Sequence, residues 1–196
     1  SDCGGLRRNF GTMTKPLHAG NAARAGVTAV ELAAAGFTAD LRAFEGEYGW
    51  FGNFSARCAP TDEALARVLG QPWELSEPGI VLKRYPSCGA THCAVDALLA
   101  LRQEHAIDPS DISTIVCEAS PFAQKPLLYS RPCTGLEGKF SMEYCLAIAA
   151  LEGELALRHF DDAWVSRPQV TTMLPRVSFR CRSDLGPVDS TGAVGA

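Results

Sequence analysis

No run of apolar residues in this sequence approaches the ~20 that a membrane-spanning helix needs. Basic charge is not in excess either. Eighteen Lys and Arg stand against 22 Asp and Glu, a net charge of −4, which removes the electrostatic footprint of a nucleic-acid binder. Internal repeats are missing, and the only biased stretch is a Gly/Ala-rich end. No C-x-x-C pair occurs, so zinc-ribbon and thioredoxin-like readings find no support. The sequence also lacks G-x-S-x-G, G-x-x-x-x-G-K-[ST] and G-x-G-x-x-G, which excludes a nucleophile elbow and the common phosphate loops. What it does contain is 46% apolar and only 20% charged residues over 196 positions, too hydrophobic for a disordered chain and enough for a packed core. Its eight cysteines are too sparse and irregular for a secreted disulfide scaffold, and a reducing cytoplasm suits them better. The sequence opens on Ser1, its first Met is Met13, and no signal-peptide pattern precedes it, so the expectation is a piece of something longer.

Helix punctuation begins at Thr14, a suitable N-cap, with Pro16 in the first turn, and the helical pattern runs to about Ala35 before stopping at Gly36. Asn21, Arg24, Thr28 and Glu31 form one narrow polar stripe on an otherwise small, apolar helix. Such a helix is built to be surrounded at close range, and this third of the chain does not supply the neighbours. Residues 37–60 mix Gly46, Gly49 and Gly52 with aromatics and read as an ordered irregular segment. A helix over Asp62–Leu69 and a Pro-bounded stretch over Gln71–Pro78 follow, the latter taken as a domain boundary. Beyond it, Ile80–Tyr85 reads as a strand and His92–His105 as a helix capped by Thr91. Ile112–Glu118 reads as a strand, Ser141–Leu151 as an apolar helix, and short helices near Asp161 and over Pro168–Leu174 precede a strand at Val177–Cys181. The fold class is therefore an all-α segment, residues 1–78, followed by an α+β domain, residues 79–196. Cys117 and Cys145 fall on apolar patterns as small buried hydrophobes.

Side chains able to do chemistry concentrate in Lys83-Arg84-Tyr85-Pro86-Ser87-Cys88-Gly89-Ala90-Thr91-His92. A strand-to-helix turn with two cations, a phenol, a thiol and an imidazole can attract a carboxylate, helped by the free N–H groups of the helix start. The same residues also suit a plain capped helix with solvated basic neighbours. Lys15 and His18 form a second candidate: a lysine at the mouth of a buried helix can act as acid, base or anion anchor, or can simply snorkel to water while His18 makes a core hydrogen bond. Lys139, at another helix start, is a weaker third. His105 and His159 fall at helix ends, where a positive charge complements the dipole, and carry no chemistry in this reading. Cys88, His92 and Cys93 crowd together without a second ligand pair, so no metal is assigned.

Four ordered motifs add a resemblance. Gly5-Leu6-Arg7-Arg8-Asn9-Phe10-Gly11-Thr12-Met13-Thr14-Lys15-Pro16-Leu17-His18-Ala19-Gly20-Asn21-Ala22-Ala23 is the first. The Lys83–His92 segment with Asp96-Ala97 is the second; Arg131-Pro132 with Thr134-Gly135-Leu136-Glu137-Gly138-Lys139-Phe140-Ser141 is the third; Arg167-Pro168-Gln169-Val170 is the fourth. In this order they resemble the MmgE/PrpD family, which contains 2-methylcitrate dehydratase, cis-aconitate decarboxylase and iminodisuccinate epimerase. The resemblance implies a helical domain and an α+β lid with the site between them, incomplete at both ends here, with further acid–base residues outside the sequence.

By the same resemblance Lys15, Lys83 and His92 are catalytic, and Arg84, Cys88 and His18 bind substrate. No metal or organic cofactor is implied. The partner is a small di- or tricarboxylate, and the whole protein is expected to be a homodimer, with neither nucleic acid nor membrane as partner. Cys88 stands where the decarboxylase branch has an active-site His, and Leu128, with Tyr129 adjacent, stands where that branch has a Tyr. These departures point away from decarboxylation and toward dehydration of the 2-methylcitrate type, with dicarboxylate epimerisation and a catalytically inactive fragment as alternatives.

Overall fold

A computed structural model of the chain describes residues 5–54, 67, 70, 72, 73, 75–77 and 79–185. The expected helix at 62–69 and much of the 71–78 boundary lie outside the described residues. By compactness the chain divides into two units, one made of Ser1–Ala22 with Lys83–Ala196, the other of Ala23–Leu82.

In the first unit, helix α1 (Thr14–Ala34) begins its course and carries on into the second. Thr12, rather than Thr14, caps its start: the Thr12 hydroxyl accepts the Thr14 N–H at 3.3 Å and donates to the Asn9 carbonyl at 2.8 Å. At the other end Gly36 has φ +85°, the Phe37 N–H reaches the Leu32 carbonyl at 2.9 Å, and the Gly36 N–H reaches Ala33 at 3.0 Å. That pair of bonds is the Schellman arrangement the glycine announced. No residue of α1 is fully buried, and Val27 and Val30 are 61% and 70% exposed, so most of its apolar circumference lies open among the described residues. In the second unit, residues 37–49 are irregular, with turns and bends from 41 onward, and α2 (Trp50–Phe54) is one short helix, with Trp50 against Phe51 and Phe54.

The first unit holds the core. Its remaining elements are α3 (His92–Glu104), β1 (Ile115–Ala119), α4 (Pro121–Gln124), α5 (Gly135–Gly138), α6 (Met142–Glu152), α7 (Asp162–Val165), α8 (Pro168–Met173) and β2 (Val177–Cys181). Helix α6 is apolar on every side, and every residue from Tyr144 to Ala150 is buried. It is started by Ser141, whose hydroxyl accepts the Tyr144 N–H at 3.1 Å. Packed around α6 are α3, α8 and β2, which contribute Val95, Leu98, Val170, Met173 and Val177 to one apolar cluster. The strands pair in parallel, Ile115 opposite Val177 through to Ala119 opposite Cys181. A parallel pair needs a crossover, and residues 120–176, with α6 at their centre, are that crossover.

Three local readings change. Ile80–Leu82 forms no strand and lies open, 72–90% exposed, because no described segment pairs with it. Thr91 does not cap α3; its hydroxyl is used elsewhere, as described below. His159 is no exposed helix-end cation. It is fully buried, its Nδ1 accepts the Ala156 N–H at 3.0 Å, and its burial holds the imidazole below its usual range.

Candidate active site

The turn from Lys83 to His92 is fastened at several points. Pro86 bars regular structure, and Lys83 Nζ closes over it to donate to the Ser87 carbonyl at 3.0 Å. The buried Ser87 and Thr91 hydroxyls lie 2.8 Å apart, and Thr91 Oγ1 also bonds the Cys88 carbonyl at 2.8 Å. Thr91 has one hydroxyl proton and Cys88 takes it, so Ser87 is the donor to Thr91. The Cys88 N–H is held in turn by the Lys139 carbonyl at 2.9 Å. Lys139 thus contributes its backbone to the turn, while its ammonium lies 5.6 Å from the Phe160 ring. Below this turn the Cys145 thiol, fully buried, is pushed up to about 12 by desolvation against the nearby Thr91 and Ser87 hydroxyls, and is chemically quiet.

His92 opens α3 and is half-buried. Its Nε2 is buried without a hydrogen-bond partner among the described residues. Burial pulls its pKa down and the Lys83 charge adds to this, while the backbone of Ser87 and Tyr85 and the Asp96 carboxylate oppose it. The ring is therefore neutral near pH 7 and can accept a proton. It stands edge-on to Tyr85, with centroids 5.3 Å apart and planes at 87°. Tyr85, itself buried, donates its hydroxyl to Asp96 Oδ1 at 2.6 Å, and desolvation together with that bond pushes its phenol up to about 12. Arg84 pairs with the same Asp96 oxygen at 3.1 Å, largely in water, where such a pair is weak.

Lys15 belongs to the same unit. Phe10 and Phe140 pack with centroids 4.9 Å apart, and Lys15 Nζ stands 5.1 Å and 5.7 Å from the two rings, exposed to solvent. The platform is tied down by Tyr129, whose hydroxyl donates to the Phe10 carbonyl at 2.8 Å and whose N–H reaches the Phe140 carbonyl at 3.4 Å. Gly11 makes the approach possible: at φ +84° it lies against the Tyr129 ring, and a Cβ there would stand 2.8 Å from Cζ and closer still to Cε2. Lys139-Phe140 is the common neighbour of both parts, with the Lys139 carbonyl on Cys88 and the Phe140 ring under Lys15.

Of the residues singled out in the sequence, Lys83, Arg84, Cys88 and His92 are brought together by the turn, and Lys15 is linked to them through Lys139-Phe140. His18 is placed differently, with its half-buried ring against the Gly5 backbone. Sequence reasoning assigned no role to Asp96, Tyr85, Phe10 or Phe140. Asp96 had a signal, since it lies one helical turn beyond His92 on α3. Among the described residues neither Lys15 nor Lys83 is paired with a carboxylate. Among them, too, no three His, Cys, Asp or Glu side chains are grouped to hold a metal ion, and no helix is long and apolar enough to cross a membrane.

The structure thus presents an exposed lysine on an aromatic platform and, on the adjoining turn, a second lysine beside an imidazole held below its usual pKa range. Comparison with known proteins places the chain in a family. The MmgE/PrpD C-terminal domain matches residues 85–187, and the MmgE/PrpD N-terminal domain matches residues 1–61. Among similar proteins, cis-aconitate decarboxylase of Homo sapiens is 29% identical over 191 residues, covering 94% of this chain and 38% of that protein. That of Mus musculus is 31% identical over 195 residues, covering 95% and 38%, and that of Aspergillus terreus is 27% identical over 193 residues, covering 90% and 39%. The chain thus spans less than two fifths of the length of the relatives it matches. With one domain of the family matching more than half of its residues and the other matching its start, the chain belongs to the MmgE/PrpD family.

Proposed function

We propose that this chain contributes to a cofactor-independent lyase that acts beside a carboxylate of a di- or tricarboxylic acid, the first reading being dehydration of the 2-methylcitrate type. The observation that carries it is a neutral His92, its Nε2 buried and unpartnered among the described residues, beside the unneutralised Lys83, with a second unneutralised lysine, Lys15, on the platform joined to the turn through Lys139-Phe140. Lys83 and Lys15 hold substrate carboxylates by charge-assisted hydrogen bonds, with Arg84 and Cys88 completing recognition. His92 takes the proton from the carbon next to a carboxylate. The electron pair of that C–H bond becomes the new C=C bond, and the C–O bond breaks as hydroxide leaves with a proton from an acid outside these residues. Negative charge that builds on the flanking carboxylate during proton removal is stabilised by the lysines, which are already in position. The whole protein acts as a homodimer in this reading.

A second reading is decarboxylation, favoured by the relatives, which are named cis-aconitate decarboxylases. It uses the same cationic hold, but the bond that breaks is C–C and the product is carbon dioxide. Cys88, in place of an imidazole, is the reason dehydration comes first.

The test uses a polypeptide carrying both family domains in full, supplied with 2-methylcitrate and, separately, cis-aconitate, with products followed by NMR. Lys15→Ala and Lys83→Ala are each expected to reduce water loss from 2-methylcitrate by at least about a hundredfold, the scale of removing one preorganised charge-stabilising group. Unchanged turnover in both variants overturns the assignment of these residues. Carbon dioxide release from cis-aconitate without water loss from 2-methylcitrate replaces the first reading by the second.

A further inference from the structure

The Tyr85–Asp96 pair has no part in the chemistry above, yet it is a fully bonded polar pair next to His92. Asp96 receives the Tyr85 hydroxyl at 2.6 Å and Arg84 at 3.1 Å on one oxygen, and Tyr85 presents its ring to the His92 edge at 5.3 Å and 87°. Because His92 Nε2 has no partner among the described residues, no hydrogen bond at that atom fixes the plane of the imidazole. The imidazole is restrained instead by the backbone of Ser87 and Tyr85 and by its edge-on contact with the Tyr85 ring. Tyr85 is in turn held by the bond from its far end to Asp96, one helical turn beyond His92 on the same helix. Helix, turn and ring thus form a closed triangle.

We propose that Asp96, acting through the Tyr85 hydroxyl, is a positioning residue that holds Tyr85 against His92 and so helps to set the plane of the His92 ring. Its role in turnover rests on the lyase reading above, but its effect on the imidazole does not. The charged groups facing His92 are Lys83 from the turn and Asp96 from its own helix; Tyr85 remains a neutral phenol.

Asp96→Asn keeps an oxygen to accept the phenol while removing the carboxylate charge that favours imidazolium, so the His92 titration midpoint moves down. Tyr85→Phe keeps the ring and the Asp96 charge but cuts the tether, so the His92 ring signals lose their ring-current shift while the midpoint changes less. Both are read by NMR titration of the imidazole in the full 196-residue chain, with no substrate present. In the polypeptide carrying both domains, Tyr85→Phe is expected to lower kcat by about tenfold with KM nearly unchanged, as misorientation of a proton-transfer group does. In the same protein the acid limb of the Asp96→Asn pH profile moves down with the NMR midpoint, which a merely structural role of the pair would not produce. An unmoved midpoint in Asp96→Asn, or wild-type ring signals in Tyr85→Phe, overturns the proposal. If both NMR changes appear while the wild type turns over neither carboxylate, the lyase reading fails and the positioning stands.

Discussion

Gly11→Ala separates the docking of the Lys15 segment from the stability of the core. Alanine at φ +84° sits in the left-handed region, at a cost of about 1–2 kcal/mol. Its methyl also overlaps the Tyr129 ring, which must turn away and surrender its 2.8 Å bond to the Phe10 carbonyl, at a further cost of about 1 kcal/mol. The sum, about 2–3 kcal/mol, shifts the docking equilibrium roughly a hundredfold at 1.4 kcal/mol per factor of ten. Amide hydrogen exchange reads this directly. The Phe10 and Thr12 N–H groups, bonded to Arg7 and Asn9 at 3.0 and 3.2 Å, are expected to exchange about a hundredfold faster while the amides of α6 stay protected. Gly11→Asn, whose residue type tolerates a positive φ, recovers the backbone share but not the ring overlap, and falls between the two. Wild-type exchange at Phe10 and Thr12 in Gly11→Ala would refute the reasoning, as would an equal loss of protection in α6.

Ser141→Ala leaves the buried Tyr144 N–H without its acceptor and is expected to cost about 1–2 kcal/mol, seen as a lower denaturant midpoint at unchanged slope. His159 gives a pH signature. Its folded pKa lies below the unfolded value near 6.5, so as pH falls through about 6.5 the unfolded state takes up a proton that the folded state refuses. Stability contributed by the neutral imidazole is therefore complete above about pH 7 and declines toward the folded pKa. Asn can replace Nδ1 as acceptor for the Ala156 N–H, so His159→Asn is expected to lose less stability than wild type between about pH 7.5 and pH 5.5. Denaturant midpoints of both proteins at the two pH values check this, and the difference between them removes the opposite-signed contribution of Glu143, whose carboxyl is raised by burial.

Much of the fold was legible wherever local pattern and tertiary packing agree. Val177–Cys181 is the strand its sequence suggests, and α6 begins after Ser141 as its cap and apolar run require. Ile80–Leu82 has the same β-forming character but no partner among the described residues, and a strand is a property of a pair. Thr91 looks like a cap, yet its single proton and its lone pairs are claimed by Cys88 and Ser87. In the site, the closeness of Lys83 and His92 was readable because both sit on one short turn. The platform under Lys15 was not, since Phe10 and Phe140 come from distant parts of the chain and no spacing rule connects them. Asp96 was visible on the His92 face of its helix, but its bond to Tyr85 across the turn depends on how Pro86 bends the backbone.

The parallel pairing of Ile115–Ala119 with Val177–Cys181 bears on the order of assembly. Strands so far apart in sequence cannot zip from a hairpin; the entropy of closing the long segment between them must be met before the ladder returns anything. The apolar helix inside that segment can collapse early, on contacts nearer in sequence, and the strands then close around it as a late clasp. Lys139, whose carbonyl secures Cys88, lies within the clasped segment. The turn that carries Lys83 and His92 is therefore among the last parts of this unit to take its final shape, and its side chains converge only once the sheet is complete.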